Sequence, residues 1–123
     1  MSGAKLVIVD DEEDILFLLK YNLINFGFQV SQFTSSLEAL SYIKNNPTDL
    51  ILSDWMMPEP NGIEFCRIVR SSPFASHIPF VMLTCKSTSR DEDMALKAGV
   101  DEFLTKPIRM NELAEKLNKV LSI

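Results

Sequence analysis

Short apolar runs alternate with helix-patterned segments along the whole chain, and this alternation constrains the fold more than any other feature. Lys5–Val9 (KLVIV) reads as a buried strand. Glu13–Phe26 follows, with Leu16, Leu19, Leu23 and Phe26 at helical spacing, and Gly27 stops it. Gln29–Phe33 is a weaker, more polar strand. Ser35-Ser36-Leu37-Glu38 reads as a capping box that opens a helix to about Asn45, with Pro47 beyond it. Leu50–Ser53 is the third strand. It ends abruptly at Asp54 and runs into Trp55, two methionines, two prolines and Asn61-Gly62, the signature of a tight loop. A helix from about Ile63 to Arg70 should bury Phe65, Cys66 and Val69. After a loop over Ser71–His77, Pro79–Leu83 is the fourth strand. Ser89–Ala98 is a helix closed by Gly99, and Glu102–Thr105 is the fifth strand. A last helix over Met110–Leu121 puts Leu113, Leu117, Val120 and Leu121 on one face.

Five β-α units with short connections predict a parallel sheet covered by helices on both faces, with right-handed crossovers. The 123 residues are enough for one domain with a single sizeable core, and an apolar content of 46% fits a folded globule. No apolar run reaches the roughly 18 residues of a membrane span. The N-terminal stretch has too short an apolar core for a signal peptide, so an intracellular protein is expected. Cys66 and Cys85 form no CxxC and have only His77 for company; zinc is not expected, and both thiols are expected to be small buried residues. Residues 1–61 carry 3 Lys/Arg against 9 Asp/Glu, and residues 62–123 carry 9 against 8. The acid excess sits at Asp10, Asp11, Glu12, Glu13 and Asp14. Nothing is basic enough to grip nucleic acid unaided.

In a parallel sheet all strands point their C-terminal ends the same way, and ligands bind outside those ends. Asp10 and Asp11 follow the first strand, Asp54 the third, Thr84 the fourth and Lys106 the fifth. Three carboxylates gathered on one edge repel one another and call for a cation. Magnesium suits them: it takes one or two carboxylates, keeps several waters and leaves room for a phosphate. Lys106 suits one phosphate oxygen and the Thr84 hydroxyl another. With Asp54 as nucleophile, this is a phosphoryl-transfer site working by positioning and charge neutralisation. Each residue also has a plainer role. Strand-end acids cap helices, a terminal Thr supports a strand, and a Lys before Pro sits in a turn. Their joint occurrence at four strand ends is what favours chemistry.

The chain resembles the receiver domains of two-component response regulators. The motifs are VDDE at Val9–Glu12, SDWMMPEPNG at Ser53–Gly62, MLTC at Met82–Cys85 and KAGVDEFLTKP at Lys97–Pro107, in order over essentially all of residues 1–123. The resemblance implies a flavodoxin-like, doubly wound α/β fold, (βα)5, with a parallel sheet in strand order 2-1-3-4-5. It implies Asp54 as phosphoacceptor. Mg²⁺ would be held by Asp10, Asp11, Asp54 and the Met56 backbone carbonyl. Thr84 and Phe103 match the switch positions, Lys106 matches the phosphate-binding lysine, and the Lys106–Pro107 bond is expected to be cis. The implied function is a cytoplasmic, phosphorylation-dependent switch. It is not a turnover enzyme, although it promotes its own phosphorylation and dephosphorylation. It is charged by a histidine kinase or phosphotransfer protein, or by a small phosphodonor. It is read by a downstream protein or output domain through the fourth helix, fifth strand and fifth helix. The domain itself is expected to touch neither nucleic acid nor membrane, and to dimerise weakly, if at all, when phosphorylated.

Several residues depart from the family pattern. Cys85 stands where Ala is usual, and Arg109 where an acid or hydroxyl often caps the last helix. Met56 and Lys86 occupy positions that tune dephosphorylation in the family, and Trp55 is expected to be partly exposed. Three other readings compete. A Mg²⁺-dependent aspartyl-phosphate phosphohydrolase would carry DxDxT at the first strand, which here gives VDDEED. A flavodoxin-like cofactor binder would need a Gly- and hydroxyl-rich loop where five acids stand. A degenerate docking module would lack the complete residue set. An alternative to a stand-alone switch is the receiver portion of a larger transcriptional regulator.

Overall fold

In the computed structural model, which describes residues 3–122, five strands alternate with five helices. The strands are β1 (Lys5–Val9), β2 (Gln29–Phe33), β3 (Leu50–Ser53), β4 (Phe80–Thr84) and β5 (Glu102–Thr105). The helices are α1 (Glu13–Asn25), α2 (Ser36–Asn45), α3 (Gly62–Ser71), α4 (Ser89–Ala98) and α5 (Met110–Leu121). The sheet is parallel in the order β2-β1-β3-β4-β5, as expected.

Strand alternation divides the core in two. Leu6 and Ile8 of β1, Leu50 and Leu52 of β3, and Val81 and Leu83 of β4 face one side. There they meet Leu16, Leu19 and Leu23 of α1 and Leu113, Ala114 and Leu117 of α5. Val7, Val9, Ile51, Phe80 and Met82 face the other side, under α2, α3 and α4. Strands buried on both faces read as continuous apolar runs, which is why β1, β3 and β4 were legible. β2 lies at the sheet edge and has no fully buried residue, only half-buried and exposed ones, which explains its polar sequence.

Several boundaries differ from expectation. α1 ends at Asn25, and Phe26 is 44% exposed rather than buried. The chain turns at Gly27, whose φ is 97°, and Phe28 takes the core position instead. At α2 the Ser35 hydroxyl accepts the Glu38 N–H at 3.4 Å. The full reciprocal box forms at α3, between Asn61 and Glu64. β4 runs to Thr84, because Thr84 pairs in register with Thr105. Arg109 provides no side-chain cap to α5. Cys66 is buried as expected, but Cys85 is exposed, because it lies just past the end of β4 where the chain leaves the sheet. Among the described residues no helix is long and apolar enough to cross a membrane.

Candidate functional site

Strand register brings the strand-end residues together. Val9 pairs with Ser53, so Asp10 and Asp54 leave neighbouring strands side by side, and the Asp54 N–H donates to the Val9 carbonyl at 3.0 Å. Thr84 pairs with Thr105, and the Lys106 N–H donates to the Thr84 carbonyl at 2.8 Å. Lys106 then reaches back across the edge. Its Nζ lies 3.2 Å from Asp10 Oδ2 and 3.4 Å from Asp54 Oδ2. Both carboxylates are buried, and Thr84 is fully buried. The Lys106–Pro107 bond is cis, as is Glu59–Pro60, which the sequence did not announce.

The Asp54 carboxylate is held at one end. Its Oδ1 accepts the N–H groups of Trp55 at 2.7 Å and Met56 at 3.4 Å. Oδ2, on the Lys106 side, is the freer atom. The loop after Asp54 folds back so closely that a Cβ on Gly62 would strike the Asp54 carbonyl oxygen and lie 2.6 Å from Trp55 Cα. Only glycine fits that approach. The Trp55 carbonyl in turn accepts N–H bonds from Met57 and Gly62. Trp55 is therefore buried rather than partly exposed, at 7%. Its ring meets Phe103 edge-on and carries the Lys86 ammonium on its face.

One ammonium shared by two carboxylates sets the electrostatics. Burial works to lower the Lys106 pKa, but the charges of Asp54 and Asp10 outweigh it and hold the lysine above its ordinary value. Asp10 goes the other way. Burial raises its pKa, Asp54 adds to the rise, and the Glu12 N–H and Lys106 oppose it without cancelling it. The two directions agree physically: Lys106 gains from both acids, while Asp10 has only a share of one cation and a like charge beside it. The site thus carries surplus negative charge. Asp10, Asp11 and Glu12 each offer a carboxylate oxygen, all within 4.8 Å of one another. An all-oxygen donor set suits a hard cation such as magnesium.

The structure joins Asp10, Asp54 and Lys106 directly and adds Asp11 through the acid cluster. Glu12, read in the sequence only as one of a run of acids, belongs to that cluster. Its adjacency to Asp10 and Asp11 was the available signal. Thr84 lies at the same edge, where its Oγ1 accepts the Lys86 N–H at 3.3 Å. Phe103 is half-buried, and its ring contact is with Trp55. No sequence signal marked the stacking of Lys86 on Trp55.

This arrangement has known counterparts. The sequence pattern of the response regulator receiver domain matches residues 6–118. The chain is 34% identical over 117 residues to the phosphate regulon transcriptional regulatory protein PhoB of Rhizobium meliloti, covering 95% of this chain and 52% of that protein. It is 36% identical over 119 residues to the alkaline phosphatase synthesis transcriptional regulatory protein PhoP of Bacillus subtilis, covering 97% and 49%. It thus spans about half the length of these curated relatives. The crystallised chemotaxis protein CheY4 of Vibrio cholerae superposes with a TM-score of 0.90 at 29% identity, covering 95% of this chain and 98% of that one. Sheet order, strand-end residues and these likenesses agree, and the chain belongs to the response regulator receiver domain family.

Proposed function

We propose that this domain, residues 1–123, is a phosphorylation-dependent switch whose phosphoacceptor is Asp54. The observation that carries this reading is the Asp54 carboxylate itself. It is buried at the sheet edge, fixed through Oδ1 by two backbone N–H groups, and paired through Oδ2 with the Lys106 ammonium. In the reaction, an Asp54 carboxylate oxygen forms the O–P bond as the donor's N–P bond breaks. The bonding pair leaves with the donor imidazole, which takes a proton from water. Lys106 compensates charge on the phosphoryl oxygens, and the Thr84 hydroxyl donates to one of them. Asp10, Asp11, Asp54 and the Met56 carbonyl would hold Mg²⁺, which supplies positive charge to the transferring group. The domain promotes its own phosphorylation and hydrolysis and turns over no metabolic substrate.

A protein donor, a histidine kinase or phosphotransfer protein, is favoured by α1. That helix starts beside the acid cluster and exposes Phe17 at 70%, Tyr21 at 62% and Ile24 at 47%. An exposed apolar stripe next to a reactive carboxylate suits protein docking. Once Asp54 is charged, Thr84 is drawn toward it, Phe103 repacks, and a partner or output domain reads the surface of α4, β5 and α5. The half-length match to transcriptional regulatory proteins favours the receiver portion of a larger cytoplasmic regulator, with nucleic acid left to another domain. Intact mass after incubation with acetyl phosphate tests the core of this reading. One phosphoryl adduct is expected in wild type with Mg²⁺, and none in Asp54→Asn or with chelator. An adduct indifferent to Asp54 would overturn it.

A further inference from the structure

Trp55 is where several parts of the site meet. Its backbone N–H donates to Asp54 Oδ1 at 2.7 Å. Its ring lies edge-on to Phe103, with centroids 6.4 Å apart and planes at 81°. The Lys86 ammonium sits over the same ring, 4.9 Å from the centroid. Lys86 is also tied to Thr84, whose Oγ1 accepts its backbone N–H at 3.3 Å. The indole is buried and locked by the folded-back loop, so it is the fixed surface. The half-buried Lys86 side chain is the part free to move. It forms no ion pair among the described residues, although it sits at the margin of an acid-rich site.

We propose that Trp55 is a positioning residue that stores the Lys86 ammonium on its ring in the resting site. When Asp54 carries a phosphoryl group, Lys86 moves to that group as a second cation beside Lys106. This rests on the reading of Asp54 as phosphoacceptor. The driving force is charge. Turning a carboxylate into an acyl phosphate adds negative charge where Lys106 is already shared between Asp10 and Asp54. A multiply charged phosphoryl oxygen set outcompetes an indole face for an ammonium. Thr84 supplies the timing. As its hydroxyl turns to donate to the phosphoryl group, its Oγ1 gives up the Lys86 N–H and loosens the backbone that carries the lysine. Departure of the ammonium also changes the ring against which Phe103 packs, so both ends of the switch register the same event.

The test is solution NMR of the Lys86 side chain, with intact mass run on the same samples. In wild type, the Lys86 methylene signals are expected to lie upfield, under the indole ring current. They should be displaced in Trp55→Leu and largely kept in Trp55→Phe. On phosphorylation by acetyl phosphate they should move toward their Trp55→Leu positions. Lys86→Met should raise the acetyl phosphate concentration needed for half-maximal adduct several-fold, and Lys86→Arg should restore it. A verified adduct with unmoved Lys86 signals overturns this inference alone, as does a Lys86→Met protein that titrates like wild type. No adduct in wild type overturns the phosphoacceptor reading, and this inference with it.

Discussion

At the scale of single residues, the site is a balance of charge against burial. Asp10 is 1% exposed and its pKa lies above the ordinary 3.8, chiefly because it is buried. Below pH 3.8 the carboxyl is protonated in both folded and unfolded chains. As pH rises from there to the folded pKa, the unfolded chain loses the proton first, so stability falls. Asp10→Asn keeps the shape and an acceptor for the Glu12 N–H, and removes that cost. Without metal it should stabilise the domain at pH 7 by about 1 kcal/mol, with no gain below pH 3.8. Urea unfolding at the two pH values checks this; a destabilised variant at pH 7 would refute it. The two thiols give a second contrast. Burial pushes the Cys66 pKa up from 9.0 to about 11, whereas Cys85 is exposed. A disulfide reagent at pH 8 should label one thiol at once, and that label should vanish in Cys85→Ser. Cys66 should react only at the rate of unfolding. Two fast thiols would contradict the burial of Cys66.

Among elements, the connections carry as much information as the strands. The Asp54–Gly62 loop depends on its last residue, because a Cβ there meets backbone rather than a yielding side chain. Gly62→Ala should destabilise the domain by about 3 kcal/mol and slow adduct formation at Asp54. Thermal melts and intact mass read the two effects, and a neutral substitution would show that the loop can open at no cost. At the opposite edge of the sheet, Arg70 of α3 ties two connections together, the one from α3 to β4 and the one from α4 to β5. It donates to the carbonyls of Ser76, Ile78 and Gly99 and pairs with Asp101 at 2.8 Å. Asp101 in turn accepts the Phe80 N–H. Arg70→Met should cost about 2 kcal/mol. Hydrogen exchange should rise at the starts of β4 and β5 while the β4 end at Thr84 stays protected. Exchange spread evenly over the sheet would argue against a local clamp.

At the scale of the molecule, two cores share one thin sheet, and Asp10, Asp11, Asp54, Thr84 and Lys106 all stand at the C-terminal ends of its strands. Like charges gathered there make the fold sensitive to cations. Mg²⁺ that binds only the folded chain should raise the melting temperature, by about 3 kcal/mol of stability at a hundredfold excess over its Kd. The gain should disappear in a variant carrying both Asp10→Asn and Asp11→Asn. An equal gain in that variant would move the cation elsewhere. Light scattering with and without acetyl phosphate should show a monomer that associates weakly, if at all.

The sequence by itself determined the succession of strands and helices, the two-sided burial of the sheet and the edge at which Asp10, Asp54, Thr84 and Lys106 emerge. These depend on local periodicity and on the common polarity of parallel strands, so neighbouring residues suffice to reveal them. The tertiary structure alone decided which groups touch. Lys106 bridges Asp10 and Asp54 across 96 and 52 residues of chain. The Gly62 approach folds the loop back over Trp55, whose burial Trp's amphipathic character left open. Cys85 comes out exposed and Lys86 lies on an indole, because a strand end and a loop direction placed them there. Side-chain contacts between distant segments follow from packing in three dimensions, and no local pattern encodes them.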